Sequence, residues 1–197
     1  MNQFWNERYA TDEYVYGTEP NEYFKEQLEK QTPGKILLPG EGEGRNAVFA
    51  AKIGWNVTAF DSSKEGKRKA GKLAAANKVT INYKITDYEN AEFQPEEFDV
   101  IALIYTHMAQ DKRAGHHKKL VSYLKPGGVL ILEGFSKQQI NNTTGGPRNI
   151  EMLFSRDELE NDFALFQKLH ITETDIFFNE GIFHQGKASV IRIFGMK

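Results

Sequence analysis

Gly40-Glu41-Gly42-Glu43-Gly44 is the segment whose residue types and spacing could do chemistry, three glycines alternating with two glutamates between the apolar run at 35–38 and a helical pattern that begins near Asn46. Glycine is needed where the backbone takes positive φ or lets a ligand come close, and the start of the following helix leaves amide donors free. Strand, tight turn and helix in that order make a turn that binds something. A second apolar run, Asn56-Val57-Thr58-Ala59-Phe60, ends at Asp61. Open α/β sheets hold their ligands beyond the carboxyl ends of the strands, where a carboxylate suits the paired hydroxyls of a ribose.

Two nucleoside cofactors meet this description, and the spacing helps choose between them. The dinucleotide turn is G-x-G-x-x-G with a pyrophosphate seated on the helix. Here the pattern is G-x-G-x-G, and Glu41 and Glu43 stand inside it. Two negative charges would repel a pyrophosphate and tolerate a sulfonium cation, which favours S-adenosylmethionine over NAD.

These residues need a frame, and the rest of the chain supplies an alternation of strands and helices. The helix from about Asn46 stops at Gly54, and Ser62-Ser63-Lys64-Glu65 has capping-box spacing at the start of a helix that runs to about Asn77. Strands are expected at 80–85, at 98–104, which is apolar enough to be buried on both faces, and at 129–133. A helix over about 111–124 ends at Pro126-Gly127-Gly128, and Ser155 to Glu158 caps another. The segments 167–178 and 188–194 have hairpin spacing. The expected fold is therefore α/β, doubly wound, with a mostly parallel seven-stranded sheet and a reversed C-terminal strand. It forms one domain over 1–197, with an N-terminal aromatic flap and helix over 1–34 and a cofactor-binding core over 35–197.

The chain resembles the class I S-adenosylmethionine-dependent methyltransferases, in particular the small bacterial group of tellurite-resistance and thiopurine methyltransferases. The matching pieces are Gly40 to Asn46, Asp61, Asp87-Tyr88, Phe98 to Ile101, Leu124 to Gly128 and the final hairpin. The resemblance implies that Gly40, Gly42 and Gly44 hold the methionine moiety, that Asp61 and the neighbouring Ser62 take the ribose, and that Asp87 and the Tyr88 backbone flank the adenine, with Ile104 beside the cofactor. One position departs from the family pattern: Leu38 stands where an acidic residue usually precedes the first glycine. Glu41 either takes over that residue's contact with the cofactor or stays in solvent. A thiol, a heterocycle or a chalcogen oxyanion is the acceptor that the resemblance suggests.

Phe4, Trp5, Tyr9, Tyr14, Tyr16, Tyr23 and Phe24 put seven aromatics into the first 24 residues. Tyr23, Phe24 and Leu28 have helical spacing and pack a helix on the sheet. Tyr14 and Tyr16 are expected to lead a flap, since aromatic faces favour a sulfonium cation and exclude water. Methyl transfer releases a neutral leaving group and needs no acid; a base is required only where the nucleophile is protonated. Tyr105, Thr106 and His107 follow one strand, Glu133, Phe135 and Ser136 the next, and His107 is the expected general base with Tyr105 beside it. His184 is expected to be exposed, although its loop could reach the cleft. Lys64, Lys67, Arg68, Lys69 and Lys72 read as a solubilising face. A loop over 141–148 is long enough to be a lid, from which Arg148 could pair with an anionic substrate.

With a net charge of −2, nothing in the composition attracts nucleic acid or a membrane surface. No cysteine is present, which excludes disulfides and thiolate metal sites, and no metal-ligand spacing is apparent. No run approaches the ~18 apolar residues of a membrane span, and the polar start lacks the core of a signal peptide. A cytoplasmic enzyme acting on a small molecule is the expected class. The alternatives are a non-catalytic adenosyl-binding sensor, which would keep the turn and Asp61 without turnover, and an NAD-dependent oxidoreductase. The oligomeric state is not legible.

Overall fold

The structure, a computed structural model, describes residues 2–197; Met1, the first residue of the expected flap, lies outside the described residues. Seven strands form one sheet in the order β3-β2-β1-β4-β5-β7-β6. They are β1 (Lys35–Pro39), β2 (Asn56–Asp61), β3 (Asn82–Ile85), β4 (Phe98–Ile104), β5 (Leu124–Phe135), β6 (Lys168–Glu180) and β7 (His184–Met196). β1 to β5 pair in parallel, and β7 runs antiparallel to both β5 and β6. The reversed strand is thus inserted next to the edge, as a hairpin requires.

The helices are α1 (Asn2–Tyr9), α2 (Glu22–Leu28), α3 (Arg45–Lys52), α4 (Lys64–Ala76), α5 (Gln110–Ser122) and α6 (Arg156–Asp162). Alternation along the strands sorts the core into two layers. Leu37, Ile101, Leu103, Leu130, Leu132 and Ile193 pack with Leu120, Leu159 and Phe163 on one face. Ile36, Leu38, Val57, Val100 and Ile131 pack with Phe24, Leu28, Ala47 and Ala70 on the other. Burial of both faces explains why the strands read as continuous apolar runs. It also explains Leu38, which is 1% exposed and belongs to this core.

Several boundaries differ from expectation. β5 starts at Leu124 because Phe98 pairs with Leu124 before the register shifts, and the Pro126-Gly127-Gly128 segment lies within the strand instead of ending a helix. Ser63, not Ser62, caps α4, its hydroxyl accepting from the Gly66 amide at 3.0 Å. Lys69 is no solubilising residue: it is 2% exposed and its ammonium sits 2.6 Å from Glu43. The aromatics of the first nine residues form a helix, since Trp5 and Tyr9 are four apart and stack at 5.5 Å.

Candidate active site

A cleft of about 600 Å³ opens at the carboxyl ends of β1, β2 and β4. Ten expected site residues line it: Gly40, Glu41, Asp61, Ser62, Asp87, Tyr88, Ile104, Tyr105, His107 and Tyr16. Gly42 and Gly44, also expected at the site, are not part of its wall. Gly44 is the N-cap of α3 at φ 91°, and a Cβ there would stand 2.5 Å from that of Ala70; its work is to let α3 and α4 pack. Gly42 is closed off by the Tyr9 hydroxyl, 2.6 Å from where its Cβ would be. Gly40, at φ 64°, is the glycine that keeps space open in the cleft, its absent Cβ lying 2.7 Å from the Tyr88 hydroxyl and 3.2 Å from a Thr106 methyl. The Tyr88 and Thr106 hydroxyls are buried without a hydrogen-bond partner among the described residues. Such groups are costly unless something completes them.

Asp61 is aimed by two backbone donors. One carboxylate oxygen accepts from Ser63 N–H at 2.8 Å and the other from Gly42 N–H at 3.2 Å, leaving further lone pairs for a hydroxyl pair. Burial raises its pKa above the ordinary carboxylate value, and the amide bonds partly offset that rise. Asp87 is exposed on the rim, held by the Asn90 amide and side chain, and those bonds keep its carboxyl below the usual range. Nothing in this set is a metal cluster among the described residues.

The two glutamates of the turn are structural. Gly44 offers no side chain to cap α3, and Glu41 supplies one, accepting from Ala47 N–H at 2.7 Å. It is 8% exposed, so it does not stay in solvent, and burial pushes its pKa up to about 7. Glu43 accepts from Val15 N–H at 2.9 Å and pairs with Lys69, while Arg45 donates to the Tyr16 carbonyl at 3.1 Å. The turn therefore ties down the N-terminal chain. Phe4, Trp5, Arg8, Tyr9 and Tyr16 of that chain cover the cleft. Tyr14 does not, since its hydroxyl is bonded to the Lys69 carbonyl on α4.

The expected general base is corrected by its hydrogen bonds. His107 Nδ1 lies 2.8 Å from the Met152 carbonyl, to which it donates, and Nε2 accepts from Phe135 N–H at 2.9 Å. No lone pair remains for a substrate proton. Burial lowers its pKa to about 4, in keeping with a neutral ring that braces the wall between Phe135 and Phe154. Tyr105 has a left-handed backbone, φ 55°, and its hydroxyl donates to Glu133 at 2.5 Å. Glu133 is fully buried on β5 and also takes Asn21 and Arg192, so neither Tyr105 nor Glu133 has a proton site turned to a substrate. Arg148 is exposed, donates to the Asn142 carbonyl and is not part of the wall, although Gly146 and Pro147 of its loop are.

His184, expected to be exposed on a loop that could reach the cleft, is instead buried in it. It is 4% exposed at the tip of the β6–β7 hairpin and enters the cleft against Tyr16, Tyr105 and Phe178, with ring centroids 4.7, 5.0 and 4.5 Å away. The signal was faint: a histidine four residues after Glu180 in a turn, with nothing local to say which way the hairpin bends.

Residues 36–128 match a family described as a methyltransferase domain. A 2-methyl-6-phytyl-1,4-hydroquinone methyltransferase from Synechocystis is 26% identical over 114 residues, which cover 56% of this chain. The chain spans only 35% of that relative's length. Among solved structures, a protein from a study of the conversion of a disulfide bond into a thioacetal group during echinomycin biosynthesis superposes with a TM-score of 0.76 at 18% identity, covering 100% of this chain and 91% of that one. TehB from Haemophilus influenzae gives 0.71 at 16% identity, over 100% of this chain and 66% of TehB. A SAM-dependent methyltransferase from Methanosarcina mazei gives 0.71 at 18% identity, over 91% of this chain and 98% of that one. The chain thus carries a match to a methyltransferase domain over residues 36–128 and shares the fold of these solved structures.

Proposed function

We propose that this chain transfers a methyl group from S-adenosylmethionine to a small acceptor with a planar, apolar body. The observation that carries the reading is the convergence, in one cleft, of the open Gly40, the aimed Asp61 carboxylate and the two partnerless hydroxyls of Tyr88 and Thr106. In this reading Asp61 and Ser62 hold the ribose, Asp87 and Tyr88 the adenine, Gly40 and Ile104 the approach to the methionine, and α1 with Tyr16 shields the sulfonium from water. The cofactor supplies an electrophilic methyl group on a leaving group that departs neutral. The residues of the chain contribute orientation, which is worth on the order of 7–11 kcal/mol when two reactants are well aligned. Desolvation by the aromatic cover strengthens the electrostatics inside.

The acceptor end is walled by Tyr16, Tyr105, Phe135, Met152 and His184. Rings on several sides favour an aromatic or heterocyclic acceptor over an oxyanion, because the arginines beside them are already engaged, Arg8 with the Tyr16 hydroxyl at 2.9 Å and Arg45 with the Tyr16 carbonyl and Glu180. No helix of the described residues is long and apolar enough to cross a membrane. The cysteine-free sequence suits a reducing compartment, and a cytoplasmic location is part of the proposal.

Calorimetric titration with S-adenosylhomocysteine, beside NAD and beside an Asp61→Ala variant, tests it. Micromolar binding that falls at least about 10²-fold in the variant, with no heat from NAD, is expected, since hydrogen bonds to a buried charge contribute several kcal/mol together. Binding of NAD alone would replace this reading with the oxidoreductase one. Tight adenosyl binding without methyl transfer to any thiol, phenol or heterocycle would favour the sensor.

A further inference from the structure

Resting on the methyl-transfer reading above, we propose that His184 is the general base of this cleft and that Glu180 is its positioning residue. His184 Nδ1 lies 3.2 Å from Glu180 Oε2. A carboxylate only accepts, so Nδ1 carries the proton and Nε2 keeps its lone pair. Glu180 is fixed in turn by Arg45, whose Nη2 donates to the same oxygen at 2.9 Å. Arg45, Glu180 and His184 thus form a relay from the start of α3 to the hairpin tip.

The ring is held by stacking on Phe178 at 4.5 Å and by the edges of Tyr16, Tyr105 and Phe135, so its free nitrogen has a set direction. Nε2 makes no hydrogen bond among the described residues and lies beside Gly145, where a Cβ would stand only 3.3 Å from it. Glycine at that position keeps room beside the lone pair. The contrast with His107 is direct: that ring has both nitrogens spent on backbone groups, and this one has a nitrogen left over.

The charged and titratable groups facing His184 are Glu180 on β6, Arg45 on α3, Glu133 on β5, Tyr105 after β4, Tyr16 from the N-terminal chain and His107. Burial lowers the imidazole pKa and the Glu180 carboxylate restores part of the loss, so the ring is neutral and able to accept at neutral pH. Burial lifts Glu180, but His184 and Arg45 outweigh it and keep the carboxyl below its ordinary value.

The assignment narrows the acceptor to one whose nucleophilic atom is protonated at neutral pH, such as a phenol or a ring N–H. As that atom bonds to the methyl carbon, its proton passes to Nε2. The carbon–sulfur electron pair goes to sulfur, which leaves neutral, and the imidazolium facing Glu180 returns the proton to water. All atoms and charges are accounted for without a further reactant.

The test uses the full chain labelled with ¹⁵N-histidine, read by NMR with and without S-adenosylhomocysteine, together with methyl transfer to phenol and to thiophenol. The expected spectrum has a neutral His184 with the proton on Nδ1, and Glu180→Gln moves its pKa down by about one unit as an opposing charge is lost. His184→Gln is expected to lower kcat/KM for phenol by about 10² or more, the usual contribution of a general base, and to leave thiophenol, already ionised, within about tenfold. A ring protonated on Nε2, or equal losses for the two probes, would overturn the assignment. If neither probe is methylated, the tautomer and its response to Glu180→Gln decide alone. Failure of S-adenosylhomocysteine to bind the wild-type chain would instead count against the methyl-transfer reading, with the tautomer still reporting on His184.

Discussion

At one end of the cleft, Gly40, Asp61 and Asp87 lie at or just after the carboxyl ends of three successive strands of the parallel sheet, β1, β2 and β3. At the other, Tyr16, Tyr105, Phe135 and His184 come from the N-terminal chain, the ends of β4 and β5, and the tip of an antiparallel hairpin. The first set lies within 48 residues of sequence, each member fixed by a local rule of turn or strand end. The second is assembled by contacts that span up to 168 residues, from Tyr16 to His184. On the proposed reading, the end that takes the cofactor is local in sequence, and the end that takes the acceptor is held by long-range tethers. The residues Glu43, Arg45 and Asn46 are where the two meet, since each bonds the N-terminal chain from within or just after the glycine turn.

The largest expected effect breaks the local end alone. Gly44→Val places a Cβ against Ala70 at positive φ, and overpacking plus left-handed strain should cost about 3–5 kcal/mol in urea unfolding. Gly127→Ala, also at positive φ but with nothing within 4 Å, should cost only about 1 kcal/mol. Equal losses would show that backbone strain, not helix packing, fixes the turn.

Next comes the tether. Lys69→Met strands the buried Glu43 carboxylate and should cost about 3 kcal/mol, with Lys69→Met/Glu43→Leu recovering part of it. Hydrogen exchange at 13–17 should quicken in the single variant, while β1 and β2 keep their protection. Uniform loss of protection would mean that the two ends are not separable.

A pH series sharpens the comparison, because one buried group at each end titrates with opposite sign. Folded Glu41 keeps its proton up to about pH 7, against an ordinary 4.5, so the folded chain binds more protons in that window and stability falls as pH rises, by up to about 3 kcal/mol. Folded His107 refuses a proton down to about 4, against an ordinary 6.5, so stability rises with pH between those values by a similar amount. Chemical unfolding of Glu41→Gln should lose the falling contribution and that of His107→Asn the rising one. If either variant keeps the wild-type slope, that group is not the buried titrating one. The smallest effect is expected for Arg148→Ala, within about 0.5 kcal/mol and with no change in KM for an anionic acceptor, as an exposed arginine off the cleft wall should behave.

The sheet, its reversed strand and the positions of Gly40, Asp61 and Asp87 were legible because glycine spacing and apolar runs report backbone geometry directly. The capping box at Ser155 and Glu158 held for the same reason. Side-chain roles were less legible where the same residue type serves burial or chemistry. His107 and Lys69 looked like a base and a surface charge, yet packing spent both on partners distant in sequence, Met152 and Phe135 for the first and Glu43 for the second. The burial of His184 was not legible because the bend of a hairpin with two 13-residue strands is set by tertiary contacts of its tip with Val15 and Tyr16.

A crystal structure with S-adenosylhomocysteine tests the central claim most directly. Ribose hydroxyls are expected on Asp61, the adenine between Asp87 and Tyr88, the homocysteine chain over Gly40, and the sulfur turned toward the chamber of Tyr16, Tyr105 and His184. A ligand bound with its adenine in that chamber, or density outside the cleft, would contradict it.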